Sequence, residues 1–471
     1  MSMLGVNVAS VDYFSGERSF SNLLMGSEWI DPDNGYRVYD ASRINADGYV
    51  ANLAASETAV VVLTPPAATL AGTNVSIRCT FTGTGTVDLQ GTLTNKTIGD
   101  HRVDFTWPAT PINEQRVFLQ VKNVAASDPV RNLDCREADL SRTQMFAPEF
   151  MDAMKPFGVI RFLDWSGVNG NANFTWADRR TRGSLVQAGS KGVAIEHMIE
   201  LVNQTGSSAW FNIPWNADEN YVRKFAQLVH DQIPAGRPVY VEYGNEVWNY
   251  AFPTTLQAER EGLAANLSSD RVEAMLFRYA DKMTWAMKIW TEVYADRPTD
   301  LVRVSGAQHS NPWTATTILG HGDTAKTVDA LTTAPYFGHS LFDDGVTDTK
   351  VLMQRLAADA DKVITVEAVA NREVAKQYKL RYIAYEAGQH LVSSSNVALV
   401  ASLNRDQRMY DIYRSYLAAW RANIGDVMVL YSSSGPVGNW GAWGLREFAG
   451  QPLSEAPKRR AAVDDAGSWV K

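Results

Sequence analysis

Two glutamates, Glu246 and Glu386, stand in settings suited to acid/base and nucleophilic work on one bond. Glu246 lies in Tyr240-Val-Glu-Tyr-Gly-Asn-Glu-Val-Trp-Asn249, directly after Asn245, and Glu386 opens Glu386-Ala-Gly-Gln-His390. Each follows a short apolar run. Cleavage of a glycosidic bond needs one carboxyl to protonate the leaving oxygen and one carboxylate to attack the anomeric carbon. The alternative is a pair of rim carboxylates in structural ion pairs, and only the elements that position them decide between the two. Glu242, on the same run as Glu246, reads as a buried, paired structural carboxylate, because unpaired buried charge is costly.

The positioning elements follow from periodicity. From about residue 147, helix-like stretches (148–155, 195–203, 221–232, 271–294, 350–364, 408–422 and 455–465) alternate with short runs apolar on both faces (158–163, 209–213, 239–243, 302–305, 328–333, 381–385 and 427–431). That pattern predicts a parallel sheet covered by helices. With residues 3–8 the strands number eight, enough to close a (β/α)8 barrel. A doubly wound open sheet competes, but no Gly-rich phosphate loop follows residues 3–8 or 159–163. Residues 50–133 read differently: short alternating Val- and Thr-rich runs broken by Gly, Pro and Asn predict an antiparallel β-sandwich-like domain inserted after barrel strand one. The expected division is residues 1–40 as the start of the barrel, 41–138 as the insertion and 139–471 as the rest of the barrel.

Barrel enzymes carry their chemistry just past the C-terminal ends of the strands. Those positions here hold Arg161, Asn245-Glu246, Gln308-His309, Tyr336, Glu386, and Trp440 with Trp443, against apolar strand interiors. Asn245-Glu246 after strand four, with a Glu after strand seven, resembles the retaining glycoside hydrolases of clan A, at the level of motif order over residues 1–30 and 140–471. The resemblance implies that Glu246 is the acid/base and Glu386 the nucleophile. It implies that Asn245 bonds the sugar 2-hydroxyl, Tyr336 orients the nucleophile, Arg161 keeps Glu386 ionised, and Trp440 or Trp443 floors the sugar site. The clan's His two residues before the strand-six Tyr is replaced by Ala334, and His309 or His339 is the candidate substitute. Trp248 is a further candidate substrate contact, while Trp165 and Trp215 read equally well as core. With the carboxyls about 5–5.5 Å apart, two charges cannot coexist cheaply, so Glu246 is expected to keep its proton and Glu386 to be held low by Arg161.

Composition agrees with this chemistry. The 471 residues carry 44 Lys and Arg against 52 Asp and Glu, a net charge of −8, which argues against nucleic acid as partner and leans toward a neutral carbohydrate. Fourteen Trp provide flat faces suited to sugar rings. No run is apolar and long enough to span a membrane. The His and Cys spacings match no zinc motif, Asp31-Pro-Asp-Asn-Gly35 reads as a turn rather than a calcium loop, and no cofactor fingerprint occurs. Cys79 and Cys135 either pair in an exported protein or remain buried thiols. The opening Met-Ser-Met-Leu fits a protein that stays inside or one whose leader has been removed, and a secreted or periplasmic place follows in the second case. The reading is a retaining glycosidase acting on a β-linked polysaccharide or oligosaccharide. A transglycosylase with the same pair, or a barrel that binds carbohydrate without cleaving it, are the alternatives.

Overall fold

The computed structural model describes residues 3–469 apart from 55, 110–113 and 115. Eight parallel strands close a barrel in chain order. They are β1 (Leu4–Asn7), β2 (Val159–Arg161), β3 (Ser208–Ile213), β4 (Val239–Tyr243), β5 (Leu301–Gly306), β6 (Ala330–Thr333), β7 (Arg381–Ala384) and β8 (Met428–Leu430). The fold is a (β/α)8 barrel. An open doubly wound sheet is excluded by the closing pair, in which Leu4 and Gly5 of β1 lie opposite Met428 and Val429 of β8. Gly5 permits the other side of that seam, since a Cβ there would stand 2.8 Å from the Val159 carbonyl oxygen.

Strand alternation sorts side chains between lumen and helix shell. On β4, Val241 and Tyr243 join the cluster shared with the outer helices, whereas Tyr240 joins Val159, Trp210, Val304, Ile383 and Tyr385 inside the barrel. Glu242 has the parity of Tyr240, and Arg161 has the parity of Val159. The same period that packs the lumen therefore aims a carboxylate and a guanidinium into it.

The insertion is a two-layer antiparallel sandwich. One sheet orders Arg131–Glu137, Val75–Thr82, Arg102–Trp107 and Thr94–Gly99, and the other orders Arg37–Val38, Ile30–Asp31, Ala59–Val62, Val117–Lys122 and Thr86–Gly91. Two of these strands, Ile30–Asp31 and Arg37–Val38, lie ahead of residue 41. Inward residues of both sheets form one core that includes Val61, Leu89, Val103, Trp107 and Leu119. Leu185, Val186 and Ala188 of the chain after β2 pack into the same core and seat the sandwich on the barrel. Cys79 and Cys135 sit opposite each other on paired strands and form a disulfide, which settles the choice left open by the sequence.

After the turn that follows β4, the helix Pro253–Ala264 begins with Pro253 in its first turn, where a missing N–H costs nothing. Among the described residues, no helix is long and apolar enough to cross a membrane.

Candidate active site

Arg161 organises the mouth of the barrel. Its guanidinium is wholly buried and donates from Nε and Nη2 to Glu242 Oε2 (3.0 and 2.8 Å), from Nη1 to Asn7 Oδ1 (3.0 Å) and Glu386 Oε1 (2.7 Å), and from Nη2 to Asn245 Oδ1 (2.9 Å). Every N–H of the side chain is engaged. Glu242 Oε2 also accepts from Trp210 Nε1 and Asn212 Nδ2, so it is the structural partner anticipated from the sequence. Burial opposes the charge on Arg161, but the two carboxylates outweigh it and raise its pKa.

Glu386 is 5% exposed and accepts from Arg161 on Oε1 and from Tyr336 Oη on Oε2 at 2.8 Å. Each oxygen thus meets one side-chain donor. The expectation that Arg161 holds this carboxyl low fails for a physical reason. Burial pushes Glu386 up to about 8, with the charge of Glu246 adding to the effect, and this outweighs the pull of Arg161 and Tyr336.

Glu246 sits on the turn after β4 at φ +40, a left-handed conformation that costs a non-glycine residue about 1–3 kcal/mol. Two donors hold it there: Tyr385 Oη to Oε1 at 2.7 Å, and Asn249 Nδ2 to Oε2 at 2.8 Å. The ring of Tyr385 lies 4.9 Å from the Arg161 guanidinium carbon, and its carbonyl accepts from Asn7 Nδ2. Tyr385 thus touches the support of both glutamates. Sequence reading missed it because it ends an apolar strand run, and it missed Asn7 for the same reason. Asn245 gives its oxygen to Arg161 and one amide hydrogen to Asn169 Oδ1, leaving one hydrogen for a ligand.

The structure separates the aromatic candidates. Trp443 packs edge-on to Tyr336 at 5.3 Å and Tyr431 at 5.9 Å. Trp440 is 87% exposed at the tip of a tight turn bridged between Gly438 and Gly441, and only its carbonyl reaches Trp443. Of the two rings, that of Trp443 is the one packed against Tyr336 and Tyr431. Trp248 is half-buried and lies over Gly306. Trp165 and Trp215 are fully buried core.

His309 is buried, with Nδ1 2.8 Å from Thr333 Oγ1, and burial lowers its pKa to about 4. His339 faces His390 across 3.4 Å, beside Trp443. Asp164, next to Tyr431 Oη, is raised by burial to about 6 and was not anticipated as part of this cluster. A cavity of about 730 Å³ opens beside Glu246, and Trp248, His309, Tyr336 and Tyr385 line it. Among the described residues, no group of three or more metal-binding side chains converges.

No family model matches this sequence, and no curated protein matches it. Solved structures do. One is a family 51 α-L-arabinofuranosidase from Bifidobacterium longum, at 12% identity over 67% of this chain and 66% of that one, with a TM-score of 0.41. This chain spans just under two thirds of that enzyme's length. Another is a glycoside hydrolase family 5 mannosidase from Rhizomucor miehei, at 9% identity over 68% and 87%, with a TM-score of 0.38. A third is a β-glucosidase from Thermotoga maritima, at 10% identity over 67% and 84%, with a TM-score of 0.36.

Proposed function

We propose that this protein is a retaining glycoside hydrolase acting on a β-linked polysaccharide or oligosaccharide, with Glu386 as nucleophile and Glu246 as acid/base. The observation that carries the reading is the linked pair of carboxyls at the barrel mouth: Glu386 gripped by Arg161 and Tyr336, and Glu246 held by Tyr385, which leans on the same Arg161.

The steps balance on these groups. Protonated Glu246 gives its proton to the glycosidic oxygen as the bond to the anomeric carbon breaks. A carboxylate oxygen of Glu386 bonds to that carbon, and the leaving sugar departs as an alcohol. Ionised Glu246 then takes a proton from water, whose oxygen displaces Glu386. Formation of the ester removes the charge of Glu386, and Arg161 keeps Glu242 as its counter-charge throughout. That explains why a nucleophile-binding arginine has a second buried carboxylate. Trp443 floors the reacting sugar, Asn245 offers its free amide hydrogen to a hydroxyl, and Trp248 and His309 bound the cleft. A transglycosylase would differ only in admitting a sugar in place of water.

The test is product release from a panel of β-linked polysaccharides and aryl glycosides by wild type and Glu386→Ala. Cleavage by wild type that is lost in the variant and partly restored by azide supports the assignment. Equal activity of the two proteins contradicts it.

A further inference from the structure

We infer that Lys458 is a positioning residue for the sugar site: together with Gln389 it clamps the carbonyl of Ala442 and so fixes the peptide plane from which Trp443 projects. This rests on Trp443 flooring the reacting sugar.

Lys458 is an unusual choice for its place. It is the second residue of the helix Pro457–Ala466 and only 2% exposed. Its charge is taken out of water, and it stands at the helix end whose dipole is already positive. Burial accordingly lowers its pKa to about 7. Glu447 pulls the other way, but both oxygens of that carboxylate are held by Arg405. What Nζ touches is the Ala442 carbonyl oxygen, at 2.6 Å. An apolar side chain would avoid both costs, so the bond accounts for the amine.

The same oxygen accepts from Nε2 of Gln389, which is also buried. Gln389 lies three residues past Glu386. Its Oε1 accepts from the Leu391 N–H at 2.5 Å, and its own N–H donates to Tyr413 Oη at 3.0 Å. Its short strand runs beside Tyr336-Phe337, with Tyr336 opposite Gly388. The clamp is therefore built on the segments that carry Glu386 and Tyr336.

The carbonyl of Ala442 and the nitrogen of Trp443 belong to one planar unit, so holding the oxygen holds the start of Trp443. The following unit is held by the Trp443 carbonyl, which accepts from Ser432 N at 3.2 Å. Arg459 N donates to the Leu445 carbonyl at 3.2 Å, so the first turn of the helix grips this strap at two points. Between the fixed planes the indole folds back over Gly441, at φ +113, where a Cβ would stand 2.8 Å from the indole nitrogen. The ring then meets Tyr336 at 5.3 Å and His390 at 4.7 Å.

The experiment is a double-mutant cycle of Lys458→Met and Trp443→Ala, read as kcat/KM on dinitrophenyl β-glucoside and β-mannoside. With Trp443 present, Lys458→Met should lower kcat/KM by about tenfold. In the Trp443→Ala background it should change kcat/KM by less than about twofold, because the side chain it positions is gone. Lys458→Gln keeps a donor without the charge and should recover part of the loss. It also runs through the same cycle, with the same criterion, if the methionine variant does not fold. No loss with Trp443 present, or equal losses in both backgrounds, overturns the positioning role alone. A wild type inactive on both glycosides and on the wider panel overturns the reading of the site beneath it.

Discussion

The hydroxyl of Tyr385 donates to Glu246 Oε1 at 2.7 Å, although the two residues lie 139 positions apart in the chain. Tyr385 also immediately precedes Glu386, and its ring rests against the guanidinium that binds Glu386. One strand end therefore presents Glu386 and braces Glu246.

Tyr385→Phe keeps the ring over Arg161 and removes only the donor. Glycosides with poor leaving groups need the proton of Glu246 most, so their kcat/KM should fall by about tenfold or more, while activated aryl glycosides lose less. A series of aryl glycosides reads this as a steeper dependence on leaving-group pKa. A uniform loss across the series contradicts the positioning role.

Glu386 attacks only when ionised, and burial pushes its carboxyl up to about 8. The proposed chemistry also needs a proton on Glu246, so the active form is the pair carrying one proton, and it is lost as pH rises through that region, which places the basic limb of kcat/KM at about 8. The same shift costs stability. Between 4.5 and about 8 the folded protein holds a proton that the unfolded chain has released, so stability falls as pH rises through that window. Glu386→Gln removes this slope. Thermal melts at about pH 5 and about pH 9 should show wild type losing more than the variant. Activity that holds well above pH 8, with parallel melts, counts against the shift.

Arg161→Met leaves Glu242 buried without its counter-charge. Unfolding in urea should show a loss of about 3–5 kcal/mol at neutral pH. Adding Glu242→Gln to that background should recover part of it, since the stranded charge is gone. No recovery would mean that packing of the guanidinium against Trp210 and Tyr385, rather than charge, carries the cost.

The disulfide lies in the sandwich, whose core is separate from that of the barrel. Cys79→Ser should lower stability by about 2–4 kcal/mol through the unfolded state and leave room-temperature activity intact. Melts with and without reductant, beside an activity assay, check both halves. Loss of activity at a temperature where the fold persists would tie the sandwich to the catalytic cleft.

Much of this was legible before any coordinates. Barrel strands announce themselves as runs apolar on both faces, and polar residues at their C-terminal ends mark the mouth, so Glu246, Glu386, Arg161 and Tyr336 could be gathered from the chain alone. Tyr385 and Asn7 could not. Each ends a strand whose apolar neighbours disguise it, and only barrel closure, which fixes the register, brings them to Arg161. Trp440 and Trp443 share one short segment, and the turn between Gly438 and Gly441 leaves the ring of Trp440 exposed while that of Trp443 packs against Tyr336. The charge of Glu386 was misjudged because sequence shows its partner but not its burial. The helix after Asn249 did carry a signal, Pro253 ahead of a run of helix-forming residues.

The anomeric configuration of the first product tests the account most directly. Wild type is mixed with an aryl β-glycoside that it cleaves, and the released sugar is followed by proton NMR before mutarotation. Double displacement through Glu386 predicts the β-anomer first, with the α-anomer growing in only as the sugar equilibrates. An α-anomer at the earliest times means that water attacks directly, and the assignment of Glu386 as nucleophile then fails.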